Sequence, residues 1–160
     1  MTLEELNSLP SIDAEATLLR CSGSRRWAGQ MTSARPFATR EALNEAAERI
    51  WWDLDPDDWR EAFAAHPRIG ERRGTRWSRQ EQSRAQSATE TTLAELAAVN
   101  AAYEARFGYI FIVCATGKTG DEMLAIAKRR LDNDAASELR VAAMEQAAIT
   151  RLRLEKLLDG

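Results

Sequence analysis

Tyr109-Ile110-Phe111-Ile112-Val113-Cys114-Ala115 is the one conspicuously β-prone run in a chain of 160 residues, and its reading decides the fold. Aromatic and β-branched residues favour strands. Here, however, the apolar positions are successive rather than alternating, and no second run of this kind offers a partner. The run is therefore read as a buried extended or helical connector. The fold class that follows is all-α, a single-domain multi-helix bundle over residues 1-160.

Helical signals flank the run on both sides. Upstream, Leu93, Leu96, Ala97, Asn100, Ala101 and Glu104 predict a long helix entered from Thr89 or Thr91 and closed at Gly108 by the usual glycine stop. Downstream, Thr119-Gly120-Asp121-Glu122 is a capping box that opens a helix carrying Met123, Ile126, Ala127 and Arg130. A last helix runs from about Asp134 to Leu158, with Leu139, Ala142, Ile149 and Leu152 on one face and Arg140, Glu145, Arg151 and Lys156 available to solvent.

Nearer the N-terminus, Thr2-Leu3-Glu4-Glu5 caps a short helix that stops near Pro10. Asp13 can cap a second, with Ala16, Leu19 and Arg20 sharing a face. Trp27 and Met31 suggest a third, ending before Arg35-Pro36. From Thr39, the 3,4 spacing of Leu43, Ala46, Ala47, Ile50 and Trp51 makes a strongly amphipathic helix that Asp55-Pro56 breaks. Asp57 or Asp58 can start the next, which must end close to His66 because Pro67 follows. Residues 68 to 77 read as a loop, and Ser78 begins a polar helix. Trp51, Trp52 and Trp59 are expected to pack the core.

Bulk properties narrow the function classes. A length of 160 residues suffices for a sizeable core, and no apolar run approaches the ~20 residues of a membrane span. A net charge of -3 argues against a large nucleic-acid footprint. The clusters Arg68, Arg72, Arg73, Arg76 and Lys128, Arg129, Arg130 alternate with acids and read as solvated faces. Cys21 and Cys114 match neither a metal-ligand spacing nor a disulfide framework, so both are expected to be buried thiols in a reducing compartment. The N-terminus has no secretory pattern and the C-terminus no peroxisomal one, which leaves the cytoplasm.

His66 is the only histidine, and imidazole is the side chain best suited to exchanging protons near neutral pH. A helix-end histidine can also serve simply as a cap. Metal catalysis lacks a first shell of ligands, so no metal is expected. Ala115-Thr116-Gly117-Lys118-Thr119 holds the Gly-Lys-Thr end of a P-loop, but Ile112 stands where the pattern needs its first glycine. What survives is a helix start able to take an anion or carbonyl oxygen, or else an ordinary glycine-bearing connector. Ser78 and Glu81 form a capping box by spacing alone, and no nucleophile elbow surrounds any serine. Trp77, beside Ser78, could stack on a ligand.

Four ordered motifs together point further. They are Ala65-His66-Pro67-Arg68-Ile69-Gly70-Glu71, Ser78-Arg79-Gln80-Glu81-Gln82, Phe107-Gly108 continuing through Ala115, and Ile149-Thr150-Arg151-Leu152-Arg153-Leu154. With Cys21-Ser22-Gly23-Ser24 and Arg35-Pro36-Phe37 upstream, the chain resembles the 2-oxo-4-hydroxy-4-carboxy-5-ureidoimidazoline (OHCU) decarboxylase family of urate degradation. The resemblance implies an all-helical fold, a homodimer and a cofactor-free carboxy-lyase that gives (S)-allantoin. It places the family's histidine on His66 with Pro67 beside it, and its serine, glutamate and glutamine on Ser78, Glu81 and Gln82. Its backbone ligand contacts fall on Val113, Cys114, Ala115, Thr116 and Gly117. His66 and Glu81 would then be catalytic, and the partner a small ureidoimidazoline rather than a nucleic acid or membrane. Two other classes stay open: a non-catalytic helical ureide-binding module, and a partner-binding or nucleic-acid-binding domain that uses the arginine clusters.

Overall fold

A computed structural model describes residues 1–68 and 90–159. Among these residues there are eight α-helices and no β-strand. They are α1 (Leu3–Ser8), α2 (Ser11–Leu19), α3 (Arg25–Ser33), α4 (Arg40–Trp52), α5 (Pro56–Ala64), α6 (Glu90–Phe107), α7 (Gly120–Arg130) and α8 (Ala135–Asp159). Contacts gather the chain into two compact units. One is Met1–Ala65 with the chain from Gln146 onward, and the other is His66–Glu145.

In the first unit α3 packs on α2, α4 and α5. Ser24 caps α3 through its hydroxyl, and the buried Trp27 sends its indole N–H to the Ala47 carbonyl of α4 at 3.2 Å. α4 begins at its Thr39 cap and buries the five residues that its 3,4 spacing singles out: Leu43, Ala46, Ala47, Ile50 and Trp51. Trp59 of α5 stacks edge-on against Trp52 at 5.5 Å and donates to the Trp51 carbonyl at 2.9 Å. Trp51 and Trp59 are buried and Trp52 is half-buried. The indoles of Trp27 and Trp59 thus each have an acceptor for their one donor.

Two helix starts differ from expectation. α2 begins at Ser11, with the Pro10 carbonyl receiving the N–H groups of Asp13 and Ala14, so Asp13 lies inside the first turn. Its buried residues are Ala14 and Leu18, while Leu19 is half-buried and Ala16 and Arg20 are exposed. α5 begins at Pro56 after Asp55; Asp58 sits in the first turn and accepts the Asp55 N–H at 3.3 Å. Proline at the first helical position costs nothing, because that N–H has no helical acceptor anyway.

In the second unit α6 and α7 pack together. The run from Tyr109 to Ala115 is neither helix nor strand, a connector as the sequence suggests. Phe111, Val113 and Ala115 enter a core with Tyr103 of α6 and Met123 and Ala127 of α7. α6 ends at Gly108, whose φ of +83° is the left-handed conformation that glycine adopts without penalty. α8 spans both units in sequence, contributing Glu138, Ala142 and Ala143 to the buried set on one side of Gln146 and Ile149, Leu154 and Leu157 on the other.

Candidate active site

Pro67 disfavours helical geometry in the residue before it, and α5 accordingly stops at Ala64 with Ala65 as its cap. His66 follows in a bend, half-buried, as does Pro67. The helix exit expected for the lone histidine is therefore present. Two residues on, the Arg68 guanidinium grips Glu104 of α6 with two bonds, 2.5 and 3.0 Å. This fork ties the His66 segment to the helix that leads into the Tyr109–Ala115 connector.

The connector poses an accounting problem, since buried backbone groups outside helices and sheets still need partners. Three side chains supply them. Arg130 donates to the Ile112 carbonyl at 2.6 Å, Glu145 accepts the Cys114 N–H at 3.1 Å, and Lys118 donates to the Cys114 carbonyl at 2.8 Å. This is how a non-helical run lies buried without a partner strand. The Lys118 N–H then bonds the Ala115 carbonyl at 3.0 Å, and Gly117 at φ +81° occupies the position of a type II turn that requires glycine. By contrast, the N–H groups of Val113, Ala115, Thr116 and Gly117 donate to no described residue. A ring carbonyl or carboxylate oxygen is the kind of acceptor that such groups suit.

Behind the connector lies a buried ionic network that the sequence reading missed. Glu138, fully buried on α8, receives Arg130 Nη2 at 2.6 Å and Nε at 2.9 Å, the Asn133 amide at 3.0 Å and a short bond from the Tyr103 hydroxyl. The Arg130 guanidinium also stacks 4.6 Å from the Phe111 ring centroid. Burial pushes the Tyr103 phenol far above its ordinary value, and donation to Glu138 adds to the rise. For Arg130 burial works the other way, but the bonds to Glu138 and Tyr103 more than offset it, so the guanidinium is held charged. Arg130 is thus no part of a solvated basic face. Its helical register with Met123 and Ala127 carried that signal, and its neighbours Lys128 and Arg129 obscured it.

Cys21 is a buried thiol, pushed up to about 12 by desolvation, whereas Cys114 is half-buried rather than buried. Ser78, Glu81 and Gln82 lie outside the described residues, as do Trp77, Arg72, Arg73 and Arg76. Of the expected site, His66, Pro67 and the segment Val113 to Gly117 are described, and all belong to the unit His66–Glu145. Among the described residues no group of three or more His, Cys, Asp or Glu could hold a metal ion, and no helix is long and apolar enough to cross a membrane.

Known proteins resemble this chain over most of its length. The Arabidopsis thaliana uric acid degradation bifunctional protein TTL is 43% identical over 148 residues, which are 87% of this chain but 45% of that protein. The chain thus spans less than half of that relative. The 2-oxo-4-hydroxy-4-carboxy-5-ureidoimidazoline decarboxylase of Haloferax volcanii is 29% identical over 161 residues, covering 96% of this chain and 94% of that one. A crystal structure of OHCU decarboxylase in the presence of (S)-allantoin superposes with a TM-score of 0.80 at 42% identity, covering 89% of this chain and 96% of its own. The OHCU decarboxylase family model matches residues 7–155. With that match running from α1 into α8, and with helices as the regular elements among the described residues, the chain belongs to the OHCU decarboxylase family.

Proposed function

We propose that this chain decarboxylates 2-oxo-4-hydroxy-4-carboxy-5-ureidoimidazoline to (S)-allantoin in urate degradation, as a carboxy-lyase that needs no cofactor. The observation that carries the reading is the family match over residues 7–155, reinforced by 42% identity to a decarboxylase crystallised with (S)-allantoin. Because the match covers both compact units, residues 1-160 are read as one OHCU decarboxylase-like domain.

The substrate's own chemistry explains why so few groups suffice. Its carboxylate sits on a ring carbon beside a C=N bond. When the C–CO₂ bond breaks, its electron pair enters that bond and the nitrogen takes a proton. The result is a ring C=C bearing the hydroxyl. Loss of the hydroxyl proton makes the ring carbonyl, and protonation of the neighbouring carbon creates the stereocentre. One proton is taken up for each carbon dioxide released from the carboxylate form. The protein has to orient the ring and place protons.

In this reading His66 assists at the hydroxyl and delivers the proton to one face, while Glu81 orients His66. Glu81 and Gln82 hold the ureido and ring polar groups, with Ser78 and Pro67 lining the pocket. The backbone from Val113 to Gly117 binds the ring oxygen on which charge builds. The Arg68–Glu104 fork and the connector N–H groups that donate to no described residue support this arrangement. We place the enzyme in the cytoplasm as a homodimer.

Freshly made substrate mixed with purified protein tests the reading. Accelerated appearance of optically active allantoin is the expected outcome, and racemic product at the spontaneous rate would refute it. Glu81→Gln should lose activity with an unchanged melting temperature. Retained activity with a lowered melting temperature would assign Glu81 to helix capping instead.

A further inference from the structure

We infer that Arg130 and Glu138 are positioning residues for the reaction: their buried ion pair holds the Ile112 carbonyl and thereby sets where the N–H groups of Val113, Ala115, Thr116 and Gly117 point. The inference rests on the decarboxylase reading. Arg130 Nη1 reaches the Ile112 carbonyl at 2.6 Å, while its other two nitrogens are committed to Glu138 at 2.6 and 2.9 Å. The guanidinium is therefore fixed in its plane before it touches the connector. Its stacking on Phe111, at 4.6 Å, fixes the same connector one residue earlier.

Glu138 is itself over-determined. It carries the Tyr103 hydroxyl and the Asn133 amide as well as Arg130, so rotating it would break bonds to α6 and to the α7–α8 turn at once. Glu145, one helical stretch further along α8, takes the Cys114 N–H at 3.1 Å. Successive peptide units are thus pinned from α7 and α8, and the next N–H groups, at Ala115, Thr116 and Gly117, remain available for a ligand. An apolar packing of equal volume would fill the same space but leave the Ile112 carbonyl without its donor. It would not fix the rotation of the Ile112 peptide, and that rotation governs the direction of the donors that follow.

Such donors act on charge that develops as the reaction proceeds, so misdirecting them lowers kcat more than it raises KM. Removing Arg130 alone would leave a buried carboxylate unpaired and cost stability, so the test uses two variants that avoid this. The double variant Arg130→Met with Glu138→Leu removes both charges and keeps the volume. Arg130→Lys keeps a cation for Glu138 but has one ammonium where two separate contacts are needed.

Both variants should keep the parent's far-UV circular dichroism. Their kcat on fresh substrate should fall at least tenfold, with KM within threefold. Amide hydrogen exchange should quicken at Val113 to Gly117 and not in α1 to α5. Turnover within threefold of the parent in either variant, or a loss carried by KM alone, would overturn the inference. Loss of folded structure in both would assign the pair to stability and overturn it equally. An inactive parent would count against the decarboxylase reading instead, and amide exchange at Val113 to Gly117 would then decide the positioning role by itself.

Discussion

Gly23 lies so close to the end of α5 that a Cβ placed on it would stand 2.4 Å from the Cβ of Ala65, the residue before His66. No real pair of methyl carbons approaches so closely, and both belong to rigid backbone rather than to a flexible side-chain tip. Gly23→Ala must therefore push the α5 exit away. Overpacking of this kind costs ~1–3 kcal/mol. We expect a melting temperature lowered by several degrees. Gly29 makes the contrast within α3. A Cβ there meets nothing nearer than Glu15 Oε1 at 3.7 Å, so Gly29→Ala should stabilise by about 0.5–1 kcal/mol and leave turnover alone. Thermal melts of the two variants check the opposite signs.

Cys21 gives a pH prediction whose sign can be worked out. Its thiol ordinarily titrates near 9.0 and is raised to about 12 in the fold by burial. The native state therefore holds its proton after the unfolded chain has lost it. The stabilisation is complete below pH 9 and is lost as pH rises toward 12, on the order of 2 kcal/mol by pH 10.5. Tyr103, raised by burial and by Glu138, acts in the same direction. Melting temperature should be flat through pH 8.5 and then fall. Iodoacetamide at pH 8 should spare Cys21 in the native protein and label it in denaturant, and rapid native labelling at Cys21 would contradict its burial.

The Arg130–Glu138 pair predicts non-additive stability. Arg130→Met alone leaves Glu138 charged and buried, which typically costs ~3–5 kcal/mol, whereas adding Glu138→Leu should recover most of that loss. Chemical denaturation of both singles and the double provides the cycle. Simple addition of the two single losses would mean that the charges do not interact as described.

Much of the fold was legible because helical periodicity states it directly. Thr39 to Trp52 carried its cap and its five buried residues in plain spacing, and the buried positions of α4 are those five. The same logic placed His66 at a helix exit, since Pro67 leaves the chain little alternative. Misreadings came where local chemistry competed. Asp13 looked like a cap, but the Pro10 carbonyl begins α2 without any side-chain help. Adjacency groups Arg130 with Lys128 and Arg129, although its helical angle puts it with Met123 and Ala127. Its partner Glu138 lies across a turn, at a separation that periodicity within one helix cannot reveal. The reading of Ser78, Glu81 and Gln82 rests on motif resemblance, because those residues lie outside the described part of the chain.

Gly117 tests the turn that presents the connector's donors. At φ +81° an alanine is strained by roughly 1–2 kcal/mol even though nothing crowds its Cβ, and asparagine less so. Gly117→Ala should therefore lower kcat and melting temperature together, with Gly117→Asn intermediate. Equal behaviour of all three would show that the turn does not depend on its left-handed residue.

The central claim is that His66 transfers the proton that sets product chirality. It is tested most directly by following circular dichroism of allantoin formed from fresh substrate, with the parent protein and His66→Asn side by side. The parent should yield the (S) form rapidly. His66→Asn, folded as judged by its far-UV spectrum, should be slower by ~10² to 10⁴ and give product approaching racemic as the spontaneous reaction takes over. Near-normal formation of (S)-allantoin by His66→Asn would contradict the account.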